Sequence, residues 1–418
     1  MRTLHCDILI LGAGPAGLAA ALAAAQSGKQ VVILDDNPRP GGQIWRDGPQ
    51  VALPPLARRY RDAVERESRI THLSAARLIA RPSSHSVLFE TAESCGIVYW
   101  QRLILCCGAR ELSLPFPGWT LPGVTGAGGL QAQIKHGLPL NGERVVIAGS
   151  GPLLLAVADT VRKAGGNVVA IVEQAPRSAL VRFAMGLWRW PVKLRQLFGI
   201  APAGYATASQ VTQALGDDRL RAVTVRQHGK IREIACDRLA IGYGLVPNLE
   251  PALIFGCATA NNAITVDAQQ RTSQPDIFAA GECTGFGGSE LALAEGEVAG
   301  YVAAQRPDSA INALKKRDRW QRFADALNAT FALPDTLKEV VTPETLVCRC
   351  EDVRCGDVAE AKNWQTAKLA SRCGMGACQG KTCATSARWL YHWPLPQPRE
   401  PLSPARTETL IHLANPDA

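Results

Sequence analysis

The sequence predicts an α/β chain built from two βαβ modules and a small cysteine-rich domain near its C-terminus. Three observations point there. A strand, glycine turn, helix, strand and acid follow one another over residues 6–35. The same order returns over residues 145–173. Near the C-terminus Cys348-Arg-Cys350 is followed, 27 residues later, by Cys378-Gln-Gly-Lys-Thr-Cys383.

A length of 418 residues exceeds one typical domain and suggests about two to three. Apolar residues make up 47% and charged residues 20%, so sizeable cores can form. The net charge of +8 is modest, and no dense Lys/Arg run or aromatic-basic alternation stands out. A nucleic-acid groove is therefore not expected. A solvated basic surface is the simple reading; attraction to an acidic partner or to dinucleotide phosphates is the sharper one. The thirteen cysteines do not read as a secreted disulfide framework. Cys106-Cys107 ends an apolar run, and only the C-terminal group has ligand spacing. A reducing, cytoplasmic setting is expected. Residues 8–25 are nearly all apolar, but Gly12, Gly14 and Gly17 interrupt them, and no run of about 18 apolar residues occurs elsewhere. No transmembrane segment is expected.

In the first unit, Cys6–Leu11 reads as a buried strand and Gly12-Ala13-Gly14-Pro15-Ala16-Gly17 as the turn. A helix follows to about Gln26, then strand Val31–Leu34 and Asp35. Gly12 permits the tight turn, Gly14 lets backbone approach a pyrophosphate, and Gly17 lets helix and strand pack closely. Pro15 and Ala16 open a helix whose free N–H groups favour phosphate. Asp35, 18 residues after Gly17, is placed to hold a ribose hydroxyl pair.

The second unit repeats this. Val145–Ala148 is the strand, Gly149-Ser150-Gly151-Pro152-Leu153-Leu154 the turn, and Glu173 the acid. Gly149 and Gly151 take the first two glycine roles. The third position holds Leu154 where Gly or Ala normally allows close packing. Glu173 suits a ribose hydroxyl pair and disfavours a 2′-phosphate. NAD, another adenine nucleotide and an empty fold all remain open for this module.

Cys348, Cys350, Cys378 and Cys383 form a four-thiolate set. Thiolates are soft ligands suited to iron–sulfur clusters or zinc, and four suit a [2Fe-2S] centre. A Cys-x-Cys half is unusual for zinc. Gly374, Gly376 and Gly380 free the backbone to wrap tightly and aim N–H groups at sulfur; Arg349, Arg372 and Lys381 are available to offset negative charge. Cys373, five residues before Cys378, is a possible substitute ligand.

Two further segments, Pro40-Gly41-Gly42-Gln43-Ile44-Trp45-Arg46 and Asp276–Glu282, resemble the flavin-contacting segments of the glutathione-reductase-like flavoprotein superfamily. The resemblance implies FAD held at Gly41, Gly42, Gln43, Gly281 and Glu282. It places Glu282, where Asp is commoner, at the ribityl chain, and the N-terminus of helix 289–304 at the flavin. It implies that the second module is inserted in the first, with Leu103–Arg110 as the crossover. No Cys-x-x-Cys or Cys-x4-Cys stands near the flavin segments, so a disulfide reductase lacks its working group.

Cys348–Glu351 and Gly374–Cys383 resemble the bacterioferritin-associated-ferredoxin-like [2Fe-2S] segment fused to larger subunits of heteromeric amine and amino-acid dehydrogenases. Pro117–Val124 and Gly126–Gly129 fit the same group, which includes opine oxidase, hydrogen cyanide synthase, D-hydroxyproline dehydrogenase and dye-linked L-proline dehydrogenase. The expected layout is residues 1–140 and 241–305 for the FAD domain, 141–240 for the inserted module, 306–345 as connector, 346–393 for the [2Fe-2S] domain, and 394–418 as a Pro-rich tail.

The resemblance implies a relay role within a complex. In it, a smaller FAD-containing partner would oxidise the C–N bond of an amino acid or opine, and a further small iron–sulfur subunit is an optional member. This chain would pass the electrons on, with peripheral contact at the inner membrane if the acceptor lies there. No substrate-oxidising base is read in it. The alternatives are a self-sufficient NAD(P)H-dependent FAD/iron–sulfur reductase and a non-catalytic scaffold subunit.

Overall fold

A computed structural model describes residues 2–49, 51–198 and 204–414. The first module is a seven-stranded sheet. Its parallel centre runs Ile70–Leu73, Val31–Leu34, Arg2–Leu11, Cys95–Leu105, and Ser86–Glu90 and Arg77–Ala80 extend it antiparallel. Leu9 pairs with Val32 on one side and Leu103 on the other. Ile8 and Ile10 enter one core cluster, Leu9 and Leu11 another. That alternation buries both faces of the sheet, which explains its unbroken apolar strands.

One strand is added late. Ile277–Ala279 pairs in parallel with Cys95–Leu105, Phe278 opposite Ile104. The first sheet is thus completed only after the chain returns from the second module, which is an insertion. Helix Ser289–Ala303 then packs on helix Pro15–Gln26. Side chains at Gly296 and Gly300 would collide with the Ala16 and Ala20 carbonyls, so the glycines set how closely the two helices meet.

The second sheet is wholly parallel, in the order Tyr205–Ala206, Asn167–Glu173, Arg144–Gly149, Arg238–Gly242, Val124–Gly126. Strand Val124–Gly126 and helix Ala127–Lys135, ahead of residue 141, belong to it. An antiparallel three-stranded sheet, Ser209–Leu215, Ala222–Gln227 and Lys230–Ala235, covers one side. The modules are joined by a ribbon, Ala109–Glu111 running out and Leu245–Pro247 running back.

Beyond helix Ile311–Thr330 the cysteine-rich segment forms its own core around Val347, Val353, Trp364, Ala387 and Trp393. It is fastened to the second module and the ribbon. Trp119 Nε1 donates to the Leu346 carbonyl at 2.7 Å, and Ser386 Oγ donates to the Ser113 carbonyl. The Pro-rich tail crosses back to the first module. Leu402 N donates to the Ile79 carbonyl at 2.8 Å, and Arg406 N and Thr409 Oγ1 donate to buried Glu90. No helix among the described residues is long and apolar enough to cross a membrane.

Candidate functional site

The first glycine turn is built as its spacing requires. Gly12 has φ +105°, and a Cβ there would strike the Cys106 carbonyl. One at Gly17 would strike the Gly12 carbonyl, whereas Gly14 faces open space. Helix Pro15–Gln26 begins with no side-chain cap and no acid in its first turn, leaving its N–H groups to a ligand. Gly41 N donates to the Ala13 carbonyl at 2.7 Å, and Gly42 abuts Gly14. The two sequence-predicted segments therefore meet in one cradle.

Two acids line it. Asp35 Oδ1 accepts from Asn37 Nδ2 at 3.3 Å, while its Oδ2 is buried with no partner. Burial pushes the Asp35 carboxyl up to about 6, against the pull of Asn37. Glu282 Oε1 accepts from Gly288 N at 2.9 Å, and its Oε2 is likewise buried without a partner. Orphaned acceptors of this kind fit the hydroxyls of a ribose and a ribityl chain. A third acid was not singled out in the sequence. Glu295, inside helix Ser289–Ala303, accepts from Gly281 N at 2.7 Å and Thr284 Oγ1 at 3.1 Å. Burial pushes its carboxyl up to about 7. The signal was there: an acid in the apolar run Leu291-Ala-Leu-Ala-Glu295. Cys106 and Cys107 adjoin this cradle, and burial pushes both thiols well up, so neither is a ready nucleophile.

The second turn differs. Glu173 is fully buried. Its Oε2 accepts from Gly151 N at 3.0 Å and Tyr205 Oη at 3.2 Å, its Oε1 from Ala175 N at 2.9 Å. The acid thus clamps its own glycine loop instead of presenting a free acceptor. Ser150 Oγ donates to the Phe331 carbonyl at 3.0 Å and Gln174 Nε2 to the Ala332 carbonyl at 3.2 Å. The Phe331 ring lies over Gly151, 3.8 Å from where a Cβ would stand. Leu154 enters the core opposite Gly242, which supplies the room a third glycine would have given.

The four sequence-predicted cysteines converge, with Cys373 as a fifth. Cys348, Cys373 and Cys383 are buried, with sulfurs within 4.8 Å of one another. Exposed Cys350 and half-buried Cys378 line the same cavity beside them. Gly374 N points at Cys348 Sγ, 3.5 Å away. Side chains at Gly374 and Gly380 would press on Trp364, and one at Gly376 on Cys350. A cavity of about 160 Å³ separates Cys348, Cys350, Cys378 and Cys383 from Glu111 and Thr125, and Thr125 Oγ1 is buried without a partner. Soft donors bordering such a space fit a small iron–sulfur group.

Of the predicted cations, Arg372 instead pairs with Glu351 at 2.8 Å. Arg110, on the joining ribbon, touches the loop from the other side. Its Nε donates to the Lys381 carbonyl at 3.1 Å and its Nη1 to Asn248 Oδ1 at 2.7 Å. Asn248 Nδ2 in turn donates to the Cys107 carbonyl at 2.8 Å. Cysteine loop and nucleotide cradle are linked through two side chains that are remote in sequence.

Residues 6–316 match the model of the pyridine nucleotide-disulphide oxidoreductase family. The chain belongs to that family. It is a flavin oxidoreductase, and membership in the pyridine nucleotide-disulphide oxidoreductases implies FAD. The chain is 31% identical to the hydrogen cyanide synthase component HcnB of Pseudomonas aeruginosa, over 90% of each chain. It is 30% identical to an opine oxidase subunit of Agrobacterium tumefaciens, over 91% of this chain and 84% of that one. The crystal structure of L-proline dehydrogenase from P. horikoshii superposes with a TM-score of 0.70 at 18% identity, covering 98% of this chain and 80% of that one. These relatives extend the match past the family region into the cysteine-rich segment.

Proposed function

We propose that this chain is the FAD- and [2Fe-2S]-containing electron-transfer subunit of a heteromeric dehydrogenase or oxidase. The complex would oxidise the C–N bond of an amino acid or opine, in a smaller flavin-bearing partner. The observation that carries this reading is the cysteine group joined by Arg110 and Asn248 to the rim of the flavin cradle. When bound, the flavin would supply two-electron acceptance and the cluster one-electron transfer.

The chain's own residues then have defined tasks. Asp35 and Glu282 accept hydroxyls, Gly14 and the start of helix Pro15–Gln26 receive phosphate, and Glu295 fixes the Gly281 backbone. Cys348, Cys350, Cys378 and Cys383 hold the iron, with Gly374 N–H directed at sulfur. An NAD(P)H-driven reductase is the weaker reading, because Glu173 and Phe331 occupy the contacts a second dinucleotide needs. Metal and flavin analysis of the purified chain tests the proposal. Alanine at both Cys348 and Cys383 should remove iron, inorganic sulfide and their absorbance while FAD stays. Retention of all three would refute it.

A further inference from the structure

Apolar side chains stand exposed along one face of the segment that leaves the second module. Val181, Met185, Trp188 and Val192 are 48, 66, 69 and 61% exposed. The spacing of four and three residues keeps Val181, Met185 and Trp188 on one side of helix Arg177–Gly186 and the short turn Leu187–Arg189, and Val192 is exposed just past the break at Trp190. The opposite side is occupied: Phe183, Leu187, Trp190 and Leu194 pack on Trp320, Phe323 and Leu327 of helix Ile311–Thr330. The outward stripe is therefore not a loosely folded core.

Charge narrows what covers it. Residues 177–195 contain Arg177, Arg182, Arg189, Lys193 and Arg195 and no acid. Arg177, Arg182 and Arg189 are exposed, and Arg189 lies over the Trp188 ring at 5.4 Å. A second copy docking here by two-fold symmetry would set these cations against their own images. A centre of Trp and Met rimmed by arginines is the composition of protein interfaces. Position narrows it further. Lys193 Nζ bonds Glu290 Oε1 at 2.8 Å, in the first turn of helix Ser289–Ala303 and beside the Glu282–Gly288 loop. Phe183 meets Phe331 with ring centroids 5.6 Å apart. The segment that bears the stripe thus runs from the second glycine turn, where Phe331 lies over Gly151, to the loop that carries Glu282 at the rim of the flavin cradle.

We propose that this face docks the smaller flavin-bearing partner, through an apolar patch on that partner ringed by carboxylates. The inference rests on the relay reading above. Docking on this segment, whose end meets the cradle's rim, would bring the partner's redox group close to this chain's. The test uses the complex purified from its native source and variants returned to that source. Trp188→Ser with Met185→Ser should raise the dissociation constant for the co-purified partner at least about thirtyfold. FAD content and visible spectrum of the isolated chain should not change. Arg182→Glu should slow association and weaken its salt dependence. A complex with unchanged affinity in the double variant overturns the docking face and leaves the relay standing. So does binding of the isolated chain to phosphatidylglycerol vesicles, or its self-association, if the double variant abolishes either. A native chain that carries no partner overturns the relay, and the docking face with it.

Discussion

Replacing Asp35 by Asn should stabilise the apoprotein and weaken its hold on FAD, and the two effects have separate causes. Burial raises the Asp35 carboxyl from the ordinary 3.8 to about 6. The folded chain therefore holds the proton more tightly than the unfolded chain. Such a group favours folding in acid, and that advantage is lost as pH rises from about 4 to 6. At neutral pH the buried carboxylate costs about 3 kcal/mol, by the usual 1.36 kcal/mol per pKa unit. Asparagine removes this cost and can still accept from Asn37. Denaturant unfolding of the apoprotein should show the variant more stable at pH 7.5 by up to about 3 kcal/mol, with the gap closing towards pH 4.5. Flavin binding should move the other way. Ribose hydroxyls donating to a carboxylate contribute about 1.5–3 kcal/mol, so affinity should fall roughly ten- to hundredfold. Fluorescence titration of apoprotein with FAD reads this directly. A stability gap independent of pH, or unchanged FAD affinity, would refute the assignment of Asp35 as a strained carboxylate waiting for hydroxyls.

Three other outcomes are expected. Gly296→Val should force the two helices of the first module apart, costing about 3 kcal/mol and releasing FAD, measurable by unfolding and flavin content. NADH should neither bleach the flavin nor bind with measurable heat, whereas dithionite should reduce the chain. Trp119→Phe deletes the 2.7 Å bond to Leu346 and should cost about 1 kcal/mol. Hydrogen exchange should then quicken in residues 346–393 before it does elsewhere.

Much of the first cradle was legible because its function is imposed on backbone. Gly17 must lack a side chain to avoid the Gly12 carbonyl five residues earlier, while Gly12 must hold φ +105° to turn the chain, and such local demands show in spacing. The second module shows where spacing misleads. Gly149, Gly151 and Glu173 satisfy the same pattern, yet the acid bonds its own loop and Phe331 arrives from 180 residues away. No local rule reports which carboxylate oxygen is already satisfied. The cysteine group was legible as a set, but Arg110 and Asn248 were not, since their partners lie over a hundred positions distant. The tail looked featureless because a Pro-rich stretch has no periodicity. Its role depends on Glu90, a buried acid that only the fold reveals as its anchor.

The joining ribbon is only two strands wide, a geometry that by itself lets one module swing against the other. The cysteine segment spans that joint, tied to Arg110 on the ribbon and to Ser113 and Trp119 beyond it. It therefore acts as a splint. Such ties oppose rotation of one module against the other. Unfolding of the C-terminal segment would return the freedom that the splint removes.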